Sequence, residues 1–377
     1  MPNDSVHNFV QKNKARIFLN LKAVTEIASS TFHEQAKIKY LTQRLKNFGL
    51  KKVSIDTTGN AIGMIINKPS DKKFVLVSAH ADTACEVPQG IEVKEQNGHL
   101  YAHGICDNSA GITAVLTFLD YIQTQNGLQK NYLIGFTVGE EALGAKRGMK
   151  GLLRDHGKKI RYVVNVESHN IGWLVDACIG QLRGRLKITA RQKGAHSWHN
   201  FGEPNAAVVL AQIISEFSQI KMPKKSAYNI TALKGGTAIN AIPNEAECLF
   251  ECRSDSPKQM DVIAARWQNI IKRHSRGGVT CHFEVLMKTE AASISKNHTL
   301  FTITQRELKL MRITPHFKSS NTDGDASLAL GIPTITLGSS NGSATHSLNE
   351  RLEKSTYPLG VEQVLQVLLA LDKEQRL

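Results

Sequence analysis

Six residues of this 377-residue chain have types and placements that can do chemistry: His80, Asp107, Glu140, Glu141, Glu167 and His346. Most stand at or just after short apolar runs of strand character. Two imidazoles and several carboxylates gathered at one sheet edge make a site for two divalent metal ions. Such a pair of ions is a catalytic centre, so the chain can be read for a reaction.

The elements that must position these groups are read from the apolar pattern. Residues 74–79 form a short β-branched run, as in a strand buried on both faces, and deliver His80 and then Asp82. Residues 132–138 deliver Gly139-Glu140-Glu141, and residues 161–166 deliver Glu167. The run 333–337, closed by Gly338, leads into a loop containing His346. In open α/β sheets the chemistry gathers beyond the carboxyl ends of parallel strands, which is where these residues fall. Asp107 arrives differently, in the polar, glycine-punctuated loop 101–111 that runs into an apolar helical stretch over 112–122. A carboxylate at a helix entrance suits a bridging role, because each of its oxygens can meet one ion.

Composition bounds the rest. The length is about twice a typical domain, and 41% hydrophobic with 21% charged residues is ordinary for a globular protein. No apolar run approaches the roughly 20 residues of a membrane span, and the first residues lack the charged and apolar regions of a signal peptide. A cytoplasmic protein without a membrane partner is expected. The six cysteines (Cys85, Cys106, Cys178, Cys248, Cys252, Cys281) form no Cys-x-x-Cys pair and read as reduced packing residues. The net charge of +14 comes from scattered lysines with few aromatics. That reads as a solvated basic surface able to draw in anionic substrates, with no nucleic-acid partner.

From 181 to 290 the pattern changes. Strands at 185–190, 226–233, 247–253 and 279–287 alternate with amphipathic helices at 204–220 and 257–273. The order β-α-β-β-α-β is that of a ferredoxin-like module. It interrupts an outer domain made of residues 1–180 and 291–377.

Ser78-Ala-His-Ala-Asp82, Gly104-Ile-Cys-Asp107, Gly139-Glu-Glu141, Glu167 and Ala344-Thr-His-Ser-Leu-Asn-Glu350, with the inserted module, resemble the carboxypeptidase G, aminoacylase, acetylornithine deacetylase and tripeptidase T family of co-catalytic metallopeptidases. The resemblance implies an α/β catalytic domain, a mixed sheet with helices on both faces, and an α+β ferredoxin-like lid that also makes a homodimer. It implies two zinc ions per subunit, with cobalt or manganese tolerated by the same donors. His80 and Glu167 would bind one ion, Glu141 and His346 the other, and Asp107 would bridge. Asp82 would accept the second ring N–H of His80. Glu140, next to a ligand but turned the other way, would be the general base.

In the module, His196 matches a lid histidine that stabilises the oxyanion in the partner's site. Asn240 and Arg253 match positions that hold substrate, the arginine through a free carboxylate, and Asp323 falls in a substrate loop. Cys106 beside the bridging ligand is not expected of the family and reads either as a buried bystander or as a residue that makes the site sensitive to oxidation. Trp198 and His199 either shape the pocket or pack. His103, His169 and His282 carry no spacing argument and read as surface or satisfied core groups. The implied substrate is a small peptide or an N-acyl amino acid. Glutamate at 167 leans towards carboxypeptidases and deacylases, whereas Gly194-Ala-His-Ser-Trp-His199 and the Gly235-Gly-Thr segment lean towards tripeptidase-like exopeptidases. A catalytically silent binding protein is the third reading, and the complete ligand set argues against it.

Overall fold

The computed structural model describes residues 4–84, 90–125, 127–168, 170–192 and 194–377, so Cys85 and His169 lie outside the described residues. Along the chain come α1 (Asp4–Lys12), α2 (Lys14–Thr25), α3 (Gln35–Asn47), β1 (Lys51–Ile55), β2 (Ala61–Ile65) and β3 (Phe74–His80). Then follow β4 (Lys94–Gln96), β5 (His99–Tyr101), a wide broken turn over Ile105–Ala110, α4 (Gly111–Ile122), β6 (Tyr132–Thr137), α5 (Arg147–His156), β7 (Ile160–Glu167) and β8 (Trp173–Cys178). The middle holds β9 (Gly180–Ala190), β10 (Ala195–His196), α6 (Ala206–Ser218), β11 (Ser226–Gly235), β12 (Ala241–Ile242), β13 (Glu245–Ser254), α7 (Pro257–His274) and β14 (Val279–Thr289). The chain closes with β15 (Ala292–Ser293), α8 (Thr299–Leu310), β16 (His316–Ser320), α9 (Gly324–Ala329), β17 (Thr334–Gly338), β18 (Gly342–Ser343), β19 (Arg351–Glu353) and α10 (Tyr357–Lys373).

Two compact units divide these elements, one of residues 1–177 and 293–377, the other Cys178–Ala292. The first is built on a mixed sheet ordered β1-β2-β6-β3-β7-β17-β8-β15, with β16 beside β8. Its centre is parallel: β3 pairs with β6 and β7, and β17 with β7. These four strands are almost wholly buried, which their apolar composition requires. Helix α4 is apolar all round and packs on β3 and β7, with α10 against it. Across the sheet, α5 places Met149, Leu152 and Leu153 on Ile62, Leu76, Leu133 and Val163.

That second packing decides which side chains reach the site. Side chains alternate along a strand, so Leu76, Ser78 and His80 share a face, as do Val163, Asn165 and Glu167. The register puts Leu76 opposite Val163 and Ser78 opposite Asn165. Burial of the first pair in the α5 core therefore points His80 and Glu167 to the same side at the strand ends. Between them and the core the Ser78 hydroxyl donates to Asn165 Oδ1 at 2.8 Å.

The second unit is an antiparallel sheet ordered β11-β13-β9-β14 with α6 and α7 packed on it, and the two-residue strands β10 and β12 paired beside it. Its core stacks Phe250 on Trp267 at 4.2 Å, with Phe217 edge-on to Trp267 at 4.8 Å. The alternate residues of β9 and β13 carry ion pairs such as Arg183–Glu251 and Lys187–Glu245, with only Glu251 of the four partly buried. Among the described residues five cysteines are free and four of them buried, in accord with packing roles.

Candidate metal centre

Strand ends and loops of the first unit bring the six chemical residues together. His80 Nε2 lies 2.9 Å from Asp107 Oδ1 and 3.3 Å from Glu167 Oε2. His346 Nε2 lies 3.1 Å from both Asp107 Oδ2 and Glu141 Oε1. Asp107 thus presents one oxygen to each histidine, as a bridge requires. The ligand atoms of His80, Asp107 and Glu167 lie within 4.8 Å of one another, as do those of Asp107, Glu141 and His346. A third trio within the same span, His80, Glu140 and Glu141, sets Glu140 beside both groups.

The fit of this set to cations follows from its charge. Asp82, Asp107, Glu141, Glu167, Asp323, Asp325 and Glu350 are all buried, and among the described residues the buried lysines are Lys37 and Lys146. Lys146 is taken by Asp325 at 2.5 Å. Burial lowers the Lys37 ammonium to about 8 despite the facing Asp82 and Glu350. With positive charge so scarce, protons are held instead. Burial alone would lower the His80 pKa, but Glu167, Asp107 and Asp82 keep it well above the ordinary imidazole value. Hydrogen bonding to Asp107 and Glu141 lifts His346 to about 11. Burial lifts Asp323 and Glu350 to about 7, and raises Glu140 well above the usual carboxyl range against the pull of His80. Asp107 is driven the other way, because the bonds from His346 and His80 outweigh its burial. Sites that gather protons on ligand atoms are sites where divalent cations displace those protons. Two imidazole nitrogens with three carboxylates, one of them shared, suit zinc, cobalt or manganese.

Asp82 differs in detail from its expected role. The Nδ1–H of His80 meets the Asp82 main-chain oxygen at 3.0 Å, with the carboxylate further off at 3.5 Å. Either contact keeps a proton on Nδ1, so that Nε2 can ligate once its own proton is displaced. The carboxylate itself accepts the main-chain N–H groups of Glu140 at 3.0 Å and Glu141 at 3.1 Å, and the Thr31 hydroxyl at 2.9 Å. Asp82 therefore locks the Glu-Glu segment in place as well as His80.

Asp323 does not line an open site. It is fully buried at the head of α9 and accepts the Thr137 hydroxyl at 2.5 Å, so it has no surface for substrate to touch. Cys106 is buried and donates to the Arg351 carbonyl at 3.2 Å, and burial pushes its thiol up, which fits a bystander. His103 is buried with Nδ1 3.2 Å from the Ser347 carbonyl and Nε2 unpartnered among the described residues, so it is a core group only half satisfied. His282 is exposed.

The remaining candidates belong to the second unit. His196, on β10, pairs with Ala241, and the next residue's N–H donates to the Asn240 carbonyl at 2.9 Å, so His196 and Asn240 are neighbours. The rings of His196 and His199 are 5.0 Å apart, and both residues are exposed, as is Trp198. Arg253 lies on β13, where its guanidinium bonds Glu251 at 3.0 Å.

Sequence reasoning missed Glu350. Its buried carboxylate accepts three main-chain N–H groups from the loop that carries Asp107. The signal was present in the spacing, an acid four residues after His346 in a loop otherwise poor in charge.

A mixed α/β sheet that ends one strand on His80 and, with its loops, gathers His80 and His346 around the shared Asp107 forms a candidate two-metal site of the hydrolytic kind. The chain belongs to peptidase family M20/M25/M40, whose sequence model matches residues 76–370. It is therefore an enzyme, a metal-dependent hydrolase of the peptidase and amidohydrolase type. A succinyl-diaminopimelate desuccinylase of Hahella chejuensis is 23% identical over 92% of this chain and 95% of its own. A tripeptidase of Staphylococcus aureus superposes with a TM-score of 0.82 at 21% identity, covering 96% of this chain and 99% of that one. A dinuclear metal-binding peptidase of the M20 family from Bacillus subtilis superposes with a TM-score of 0.73 at 12% identity, covering 98% and 99%.

Proposed function

We propose that this chain is a cytoplasmic exopeptidase that removes one residue from small peptides, with two zinc ions held by His80, Asp107, Glu141, Glu167 and His346. The observation that carries the reading is the division of labour at Asp107: one oxygen faces His80 beside Glu167, the other His346 beside Glu141, and Glu140 stands next to both groups. When bound, the ions supply Lewis acidity, lowering the pKa of a water towards about 7 and polarising the scissile carbonyl.

The chain's own groups do the rest. Glu140 takes the proton of the attacking water and passes it to the leaving amine, which an amide requires because its nitrogen leaves poorly unprotonated. Asp82 holds Glu140 and Glu141 by their main-chain N–H groups. In the second unit His196 serves the oxyanion of the partner's site in the dimer, and Asn240 and Arg253 hold the substrate, Arg253 exchanging Glu251 for a substrate carboxylate. A homodimer formed through this unit completes the proposal.

A second reading, hydrolysis of N-acyl amino acids, is supported by the desuccinylase likeness along nearly the full chain and by Glu167. The deciding experiment uses zinc-loaded protein and matched dipeptides and tripeptides with free, acetylated or succinylated amines and with free or amidated carboxyl ends. Cleavage of the free-amine peptides is expected. Cleavage confined to the acylated compounds replaces the peptidase reading with the deacylase one, and loss on amidation alone points to Arg253 as anchor.

A further inference from the structure

Glu350 has no part in the chemistry described so far, yet its buried carboxylate is filled entirely by one loop. Oε1 accepts N–H from Cys106 at 2.7 Å and from Asp107 at 2.9 Å, and Oε2 accepts from Gly104 at 2.9 Å. Gly104 sits at φ +71°, and a Cβ there would fall 2.5 Å from Thr83 Cγ2, so only glycine lets the loop turn its N–H groups this way. Further ties join the same two segments. The Ala102 N–H donates to the Glu350 carbonyl at 3.2 Å, the Cys106 thiol to Arg351, and β5 pairs with β19. The segments bearing Asp107 and His346 are thus cross-linked just below the point where those two side chains meet at 3.1 Å.

The two cation pockets are supported differently. His80 and Glu167 end neighbouring strands, so the β3–β7 ladder fixes their separation. Asp107, Glu141 and His346 all stand on loops, and His346 has positive φ and a half-exposed side chain. We infer that Glu350 is the positioning residue of the pocket made by Asp107, Glu141 and His346: by holding the loop N–H groups it sets the separation of Asp107 from His346. The inference rests on the two-cation reading of the site. It requires a carboxylate, because three donors converge on two oxygens. A glutamine amide turned either way would set its own N–H against Gly104, or against Cys106 and Asp107.

The test titrates metal-free wild type, Glu350→Gln and Glu350→Asp with Zn²⁺ against a chromophoric chelator, and with Co²⁺ followed by visible absorption. Wild type is expected to bind two equivalents. Glu350→Gln is expected to keep one at near wild-type affinity and to bind the other about 10- to 100-fold more weakly, the usual effect of losing a group that orients a ligand. Glu350→Asp, which keeps both acceptor oxygens on a shorter arm, is expected to fall between. Circular dichroism and thermal midpoints of the metal-free forms identify a variant that has lost its fold, and if Glu350→Gln has, Glu350→Asp decides by the same criterion. Two unchanged affinities, or equal weakening of both sites in a folded variant, overturns the inference. Wild type that binds no divalent ion instead removes the two-cation reading itself.

Discussion

Glu140 and Glu141 are the same chemical group on adjacent residues, and their different fates come from backbone geometry. An extended backbone turns neighbouring side chains apart. Asp82 holds both main-chain N–H groups, which fixes the direction of that split. Glu141 meets His346 at 3.1 Å, while Glu140 stands by His80 and Glu141 outside both Asp107 groups. Glu140→Gln should therefore keep full metal content and lose about 10²- to 10⁴-fold in kcat, the range for a general acid–base group; metal analysis and kinetics on the same sample check it. A variant within a few-fold of wild type removes Glu140 from the role. At this scale the residue types and their order were legible, because ligand atoms are few and chemically distinctive. What each carboxylate bonds was not. Asp82 gives its oxygens to the Glu-Glu backbone, Asp323 turns inward to Thr137, and Glu350 takes a loop, since such partners depend on main-chain directions that composition does not encode.

Elements that are long, apolar and periodic were legible, and short polar ones were not. The four parallel strands and α4 fall within a residue or two of the runs that announce them, because burial on both faces demands unbroken apolar sequence. The small sheet of β4, β5, β18 and β19 left no trace: β4 is wholly exposed and no strand exceeds three residues. Residues 4–65 fold into three helices and a hairpin with no residue that speaks for chemistry. The Glu-Glu turn shows how tightly an element can hold a site. A Cβ on Gly144 would fall 2.6 Å from the main chain of Gly139, which leaves no side chain free to yield. Gly144→Ala must push residues 139–144 apart, and Glu140 and Glu141 with them. Its kcat/KM is expected to drop at least about ten-fold, since small displacements of reacting groups are costly, while the thermal midpoint of the metal-free protein changes by only a few degrees. In the second unit Trp267→Ala is expected to cost about 3–5 kcal/mol in denaturant unfolding, by emptying the stack on Phe250.

Across the whole molecule the charge is divided unequally. The chain carries +14 overall, yet the groups around the metal centre are predominantly buried acids. Folding without metal therefore forces carboxyl groups into a setting that prefers them protonated: Asp325 is lifted to about 6 and Asp323 to about 7, chiefly by burial. An acid whose folded pKa lies above its unfolded value of about 4 binds more protons folded than unfolded between those values. Stability then falls as pH rises across that window. His346, raised to about 11, acts in the same direction from about 6.5 upward, keeping a proton that the unfolded chain releases. The metal-free protein should accordingly lose stability steadily as pH rises from about 4 to 8. Divalent ions remove the penalty by replacing those protons, so the gap between metal-loaded and chelated protein should widen with pH, and loading at pH 7 should release protons. Thermal midpoints with and without chelator at pH 5, 6, 7 and 8, together with proton release measured in two buffers of different ionisation enthalpy, check both effects. A gap that stays constant with pH would mean that the buried acids are compensated within the chain, and that the scarcity of positive charge around Asp107 is not what draws the ions in.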